Sequence, residues 1–449
     1  MCLGAVMTFL EITASISGLS SIQTDLHVSP ANMVWIPSAY TLFVASLVLT
    51  GGTLGARYGR KALFCTGIVV LAAGSLVVAA AGSIGVVIAG QAIAGVGGAL
   101  ILPNSVALLG AAYPDPHRRT EAISLWAASS GIGLAAGPVI AGVLLNHFSW
   151  HAIFLTNPVF AVIALALTVP VVRELRQPNV GGLDLTGVGL ATLSIAALVY
   201  TLIEGGHRGY GDPRILATTA ITVLAAVLFV LAELRIDAPM LDVRLFRSVS
   251  FSSVMVVSAV SLFGFAGIAL LEVLFFQRVQ QQSTLDVGWR LLALILPYVV
   301  VAGLSGPLVR RTGFKAPLAG GLLIAGLAAL GLLHQEQAEA GFGSIWWTLV
   351  LFGAACGLII APSTAAALVS VGPERVGMAS GAVNTFRQIG TVLGTSILGT
   401  MLTSRVAHGF SFTSGVHAGI LTVAIVFVVS AGLVLVGVHN RPHHQALTR

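Results

Sequence analysis

Three ionisable side chains stand where a run of apolar residues has little use for them. Glu11, Glu272 and Arg387 each interrupt an apolar stretch long enough to cross hydrocarbon as a helix. An ionised group at the centre of a bilayer costs about 2.5–3.5 kcal/mol on insertion scales, so it persists where it has a partner or a task. Glu11, about ten residues into the first run, is the leading candidate. Desolvation favours its protonated form, and a nearby cation favours the ionised one. A site that takes either a proton or a cationic substrate is the minimal exchanger. The bland alternative is a permanently protonated Glu hydrogen-bonded to a neighbouring helix. Glu272 stands about one turn from the end of its run, close enough to reach interfacial water, and is the candidate for a second coupled proton. Arg387, deep in its run, needs a partner and either orients a helix or faces a central cavity.

Little else in the chain reads as chemistry. No nucleophile, base and orienting group fall into a pattern, so no enzyme is expected. No phosphate-binding glycine loop ending in Lys and Ser or Thr occurs, which argues against an ATP-driven pump. Cys2, Cys65 and Cys356 are far apart and suggest neither a disulfide framework nor a metal site. His439, His443 and His444 lie beside Arg441 in a tail that reads as solvated. No metal and no cofactor are expected. Asp286 and Arg290, four apart, read as a local ion pair, and Asp184 and Glu204 as solvated residues flanking one run. Trp35, Tyr40, Trp126, Tyr298 and Phe386 are the aromatics that a drug-binding wall would draw on.

The elements that would hold these residues are transmembrane helices. Of 449 residues, 56% are apolar and 8% charged, against about 25% charged in a soluble domain. So few charges cannot cover a protein of this size in water, whereas a bilayer removes that need. Fourteen runs are long enough to span: 2–22, 33–54, 62–81, 84–111, 121–145, 152–172, 184–203, 214–234, 251–276, 287–309, 316–334, 344–370, 376–403 and 415–438. The first reads as a span rather than a cleaved signal, because it lacks a basic flank and Glu11 interrupts it. With the N-terminus inside, 16 of the 22 Lys and Arg fall on the cytoplasmic side and 5 on the other. That bias places both termini in the cytoplasm of a cell whose inner membrane holds the chain. Scattered in this way, the basic residues do not form a nucleic-acid patch.

An internal repeat adds to this. Gly52, Arg57, Gly59, Arg60 and Lys61 follow the second run, and Gly306, Arg310, Arg311, Gly313 and Lys315 follow the tenth. Repeated halves are a feature of transporters that rock one bundle against another. In the fifth run, Gly133, Gly137 and Gly142 leave a groove for close helix packing, and Pro138 removes a backbone hydrogen bond and invites a bend. Together with Trp150 to Pro158 and Ala379 to Gly390, these segments resemble the major facilitator superfamily, and within it the fourteen-helix drug:proton antiporter branch, over nearly the whole chain.

The resemblance implies an all-α polytopic fold. Residues 1–172 would form one six-helix bundle, 173–250 an inserted helix pair with a linker, 251–438 a second six-helix bundle and 439–449 a tail. It makes Gly52, Arg57, Gly59, Arg60 and Lys61 a cytoplasmic gate loop, and Gly133, Gly137, Pro138 and Gly142 an antiporter-type motif. It also puts an acid, usually Asp, at the place of Glu11. Two departures stand out: Ala56 replaces the acid of the gate loop, and Gln91 replaces an Arg tied to proton coupling. Either the gate is held differently or the coupling is altered.

The expected function is proton-coupled efflux of amphipathic or cationic small molecules by alternating access, with lipid, protons and substrate as partners and a monomer as the unit. A hundredfold gradient needs about 2.7 kcal/mol. One pH unit supplies about 1.4 kcal/mol per proton and 100 mV about 2.3 per charge, so one or two protons suffice. The alternatives are a dedicated exporter of one endogenous metabolite, such as a self-made antibiotic or a siderophore, and, more remotely, a non-transporting membrane sensor or scaffold.

Overall fold

The computed structural model describes residues 1–27, 33, 35–176, 184–236, 239, 241–337, 341–372 and 375–438. The tail carrying His439, His443 and His444 lies outside the described residues. The N-terminal half contains α1 (Cys2–Ser17), α2 (Leu19–Leu26), α3 (Trp35–Tyr58), α4 (Arg60–Ala79), α5 (Ile84–Ala112), α6 (Pro116–Leu145), the short α7 (His151–Phe154) and α8 (Thr156–Val171). Two helices follow, α9 (Leu185–Arg208) and α10 (Pro213–Glu233). The second half contains α11 (Val249–Leu274), which runs on through a wider turn at Phe275–Val279, then α12 (Thr284–Thr312), α13 (Lys315–Gln335), α14 (Phe342–Val369), α15 (Val376–Ala407) and α16 (Phe412–Gly437).

Among the described residues, 12 helices are long and apolar enough to cross a membrane. The sequence expectation was fourteen, and the two segments that differ are α1 and α15. Helix α1 has only 16 residues, but it continues into α2: Gly18 N–H donates to the Ala14 carbonyl (3.1 Å), and Ile22 N–H donates to that of Gly18 (3.0 Å). Helix α15 has 32 residues and is the more polar, with Asn384, Arg387, Gln388 and Arg405 along it.

Local sequence sets where the helices start and stop. Asp115 accepts from the backbone N–H groups of His117 and Arg118, with Pro116 in the first helical position; Asp212 and Pro213 start α10 in the same way. These side chains satisfy amides that have no partner within the helix. The repeat seen in the sequence recurs in the backbone. Its second glycine, Gly59 after α3 and Gly313 after α12, has positive φ in both copies (117° and 73°), a conformation that L side chains rarely adopt.

The helices pack through small residues. Helix α1 lies along α6, where a Cβ on Gly133 would collide with the Val6 carbonyl and one on Gly137 with the Thr13 hydroxyl. Gly142 and Pro138 turn instead to α12, against Leu285 and Gly288. Near the ends that carry the repeated basic residues, Gly52 of α3 meets Gly377 and Gly381 of α15. Without a hydrophobic force between helices in lipid, such close backbone approach is what holds them together. Helix α9 rests on α3 and α15 through Ile195, Val199, Ala45 and Val392. Helix α10 packs on α9 and is otherwise largely exposed on the outside of the protein, although it is apolar.

Three expectations change here. Asp286 and Arg290 do not pair: Asp286 closes a reciprocal cap with Ser283, and Arg290 donates to Gln280 Oε1 (2.7 Å) over the rings of Phe276 and Phe342. Asp184 and Glu204 are buried rather than solvated. Asp184 caps α9, and Glu204 accepts from Trp35 Nε1 (2.9 Å) and from Arg208. Glu272 does not reach interfacial water, because the helix continues past it and leaves it with no exposed surface.

Candidate functional site

Glu11 is buried inside the N-terminal half, and among the described residues every group that bonds its carboxyl is uncharged. Gln91 Nε2 on α5 donates to Oε1 at 2.7 Å. Asn157 Nδ2 on α8 and the Ser75 hydroxyl on α4 approach Oε2 at 2.5 and 2.9 Å. Three helices are thus fastened to one carboxyl of α1. One of the two sequence departures acquires a geometry here, since Gln91 supplies the neutral donor where the family resemblance implied an Arg.

Ser75 lets this cage accept both protonation states. Its Oγ lies 2.9 Å from Glu11 Oε2 and 3.0 Å from the Leu71 carbonyl, but it has one hydrogen. With Glu11 ionised, the hydroxyl donates to the carboxylate. With Glu11 protonated, the acid donates to Ser75 Oγ, and Ser75 turns its hydrogen to Leu71. Neither state leaves a buried donor without an acceptor at this carboxyl, so a proton can come and go without dismantling the site.

A second arrangement lies between the halves. A small cavity of about 20 Å³ is walled by Phe9 and Leu102 from the first half and by Phe265 and Tyr298 from the second. Its polar groups are Ser130, Asn384, Arg387 and Gln388 with the Tyr298 hydroxyl. That is room for about one water, so a larger guest needs the halves to part. The Arg387 guanidinium donates to the Ile360 carbonyl and to Ser363 Oγ (3.4 Å). Its Nε and the Nε2 of Gln388 have no partner among the described residues. Of the five aromatics singled out in the sequence, Tyr298 lines this cavity; Tyr40 and Trp126 are packed inside, bonded to the Thr8 carbonyl and to Ser105. Trp35 is held by Glu204, and Phe386 stacks beside Phe246.

Glu272 belongs to neither place. It is sealed in the second half near Glu336, an acid just past the end of α13 that the sequence reading passed over. Among the described residues, the four carboxyl oxygens of the two residues have no hydrogen-bond partner. Burial, and then the Glu272 carboxyl, push Glu336 well above the ordinary carboxylate range. Only tertiary proximity joins them, so no sequence spacing announces the pair.

The gate-loop residues divide. Arg57 is exposed over the Tyr58 ring, while Arg60 is 2% exposed against Gly377 at the start of α15. Lys61 donates through Nζ to the Val169 carbonyl (2.7 Å). Glu174 accepts from the backbone N–H groups of Lys61 and Ala62 (3.0 and 3.1 Å) at the N-terminus of α4. An acid therefore does hold this turn, but it arrives from beyond α8 rather than from position 56. A carboxylate there also suits the partial positive charge of a helix N-terminus. Across the other seam, Arg310 pairs with Glu121 (2.8 Å), and Ser124 and Ser305 lie 3.2 Å apart.

The sequence model of the Major Facilitator Superfamily matches residues 1–395. "Multidrug resistance protein Stp" of Mycobacterium tuberculosis is 30% identical over 400 residues, which are 89% of this chain and 74% of that one. The "Tetracenomycin C resistance and export protein" of Streptomyces glaucescens is 32% identical over 414 residues, 91% and 76% of the two chains. The "Methylenomycin A resistance protein" of Streptomyces coelicolor is 29% identical over 411 residues, 90% and 86%. Among solved structures, the human organic anion transporter MFSD10 superimposes with a TM-score of 0.70 at 16% identity, over 96% of this chain and 97% of that one, a likeness of fold.

Proposed function

This chain belongs to the major facilitator superfamily, and we propose that it is a proton-coupled exporter of amphipathic small molecules working by alternating access. Fourteen helices cross the membrane in this reading. The continuous α1–α2 rod of about 37 Å and the 32-residue α15, about 48 Å long, complete the twelve. Residues 1–172 and 251–438 act as the two moving bundles, 173–250 hold the inserted pair and linker, and both termini, with the tail 439–449, face the cytoplasm of the cell that carries the protein in its plasma membrane. The unit is a monomer.

The observation that carries the reading is the neutral cage around Glu11. With no cation among its bonded partners, its charge changes when a proton arrives or leaves, and Ser75 makes both states admissible. Helix α1 links this event to the cavity: Glu11 points into the bundle while Phe9, two residues earlier, is on the cavity wall. Gly133 and Gly137 seat the same helix directly on α6, and α6 runs along α12 of the other half. A shift of α1 on protonation is therefore passed to the seam where the bundles separate. Glu272, Glu336 and Arg387 are the further coupling groups, while Arg60, Lys61, Glu174 and the Arg310–Glu121 pair latch the cytoplasmic side.

The test is proton-driven uptake of fluorescent amphipathic dyes into inside-out vesicles, wild type against Glu11→Gln. Uptake that an uncoupler collapses and the substitution abolishes supports the proposal; uptake untouched by Glu11→Gln moves the proton site elsewhere. Relatives named for one antibiotic keep a dedicated exporter as the second reading, and a spectrum confined to one chemical scaffold would favour it.

A further inference from the structure

We infer that Arg387 is the recognition cation of the central cavity and that the exported molecules carry an anionic group (carboxylate, sulfonate or ionised phenol) that docks on its guanidinium. This rests on the efflux reading and narrows its substrate class.

The cavity's charge is one-sided. Arg387 is 6% exposed, and its partners among the described residues are a backbone carbonyl and a hydroxyl, neither of which compensates its positive charge. Among the described residues the cavity wall includes no carboxylate. The acids of the membrane interior are elsewhere: Glu11 is enclosed by α4, α5 and α8, and Glu272 is beside Glu336. A buried cation with neutral partners is costly to keep, and the cost is relieved when a ligand brings the counter-charge.

The hydrogen bonds left over have the matching sense. Arg387 Nε and Gln388 Nε2, neighbours on α15, are both N–H donors without acceptors. An anion offers acceptors only, and a guanidinium takes a carboxylate or sulfonate through parallel hydrogen bonds. The rest of the wall, with Phe9, Leu102, Leu262 and Phe265, is apolar. One anchored charge in an apolar wall describes an amphipathic anion. Since the cavity is small, the ligand enters as the halves part, and Arg387 travels with the second half while Phe9 and Leu102 belong to the first.

The experiment measures equilibrium binding to the purified full chain in detergent, by fluorescence anisotropy, with two dyes of one ring system: fluorescein, an anion, and rhodamine 6G, a cation. Wild type, Arg387→Lys and Arg387→Gln are compared. The expected result is preference for fluorescein in the wild type, at least about a tenfold loss of that affinity in Arg387→Gln, and partial retention in Arg387→Lys. Rhodamine 6G binding should hold or tighten in Arg387→Gln, which also shows that the variant is folded. No preference in the wild type, or fluorescein binding unchanged by Arg387→Gln, overturns the proposal. Loss of both dyes in Arg387→Gln and Arg387→Lys alike makes the guanidinium a structural strut and also overturns it. Binding needs no gradient, so a failure of proton-driven uptake would strike the efflux reading and leave this result standing.

Discussion

Replacing Glu11 by Gln and by Leu separates the cage from the proton. Gln at this position costs the site one donor. Its carbonyl accepts from Asn157 and Ser75, and its amide donates to Gln91 Oε1 once the Gln91 amide turns over, which leaves Gln91 Nε2 without its acceptor. One unsatisfied donor predicts a loss of about 1–3 kcal/mol. Leu leaves the amides of Gln91 and Asn157 buried with no acceptor, while Ser75 falls back on the Leu71 carbonyl. Two unsatisfied donors at about 1–3 kcal/mol each predict a loss of about 2–6 kcal/mol. Cys356, fully buried in α14, is a natural reporter: a thiol-reactive fluorophore labels it as the detergent-solubilised protein unfolds on heating. Glu11→Leu should therefore unfold below Glu11→Gln, with proton-driven uptake lost in both. Equal stability of the two variants would refute the argument, since it would mean that the amides do not depend on this carboxyl.

Two further outcomes follow from the packing and the acids. Gly133→Ala should destabilise the protein by about 1–3 kcal/mol, because its Cβ meets the Val6 backbone, which cannot swing aside. Gly320→Ala, with nothing within 4 Å, should be close to neutral in the same thermal assay. Glu336 makes stability depend on pH. Its native carboxyl titrates above its ordinary value of 4.5, so the folded state binds the proton more tightly than the unfolded one. Stability is then fully present below 4.5 and falls as pH rises, by up to about 1.4 kcal/mol per pH unit within the window. Glu336→Gln should flatten that slope when aggregation temperature is followed from about pH 5 to pH 8; an unchanged slope would remove Glu336 as its source.

The sequence by itself determined the class of protein and most of its helices. Low charge, long apolar runs and the distribution of Lys and Arg are one-dimensional quantities, and lipid leaves a backbone of that composition little choice but helix. It also determined the turn glycines, because Gly59 and Gly313 are places where a side chain is strained whatever lies nearby. Glu11 and Arg387 were legible as anomalies, since an ionisable residue in an apolar run is visible without knowing its surroundings. Their surroundings were not legible. Gln91, Ser75 and Asn157 converge on Glu11 from sequence separations of 80, 64 and 146 residues, and no spacing rule joins them. Glu336, which nothing in the sequence singled out, became Glu272's neighbour only once α13 was laid against the bundle. Glu174 took up the turn that Ala56 left without an acid. Which face of a helix meets a cavity, and whether a buried charge finds an opposite one, depends on contacts between segments distant in the chain. That is why the sequence announced the charges, and the tertiary structure decided that the acid is enclosed and the cation faces the cavity.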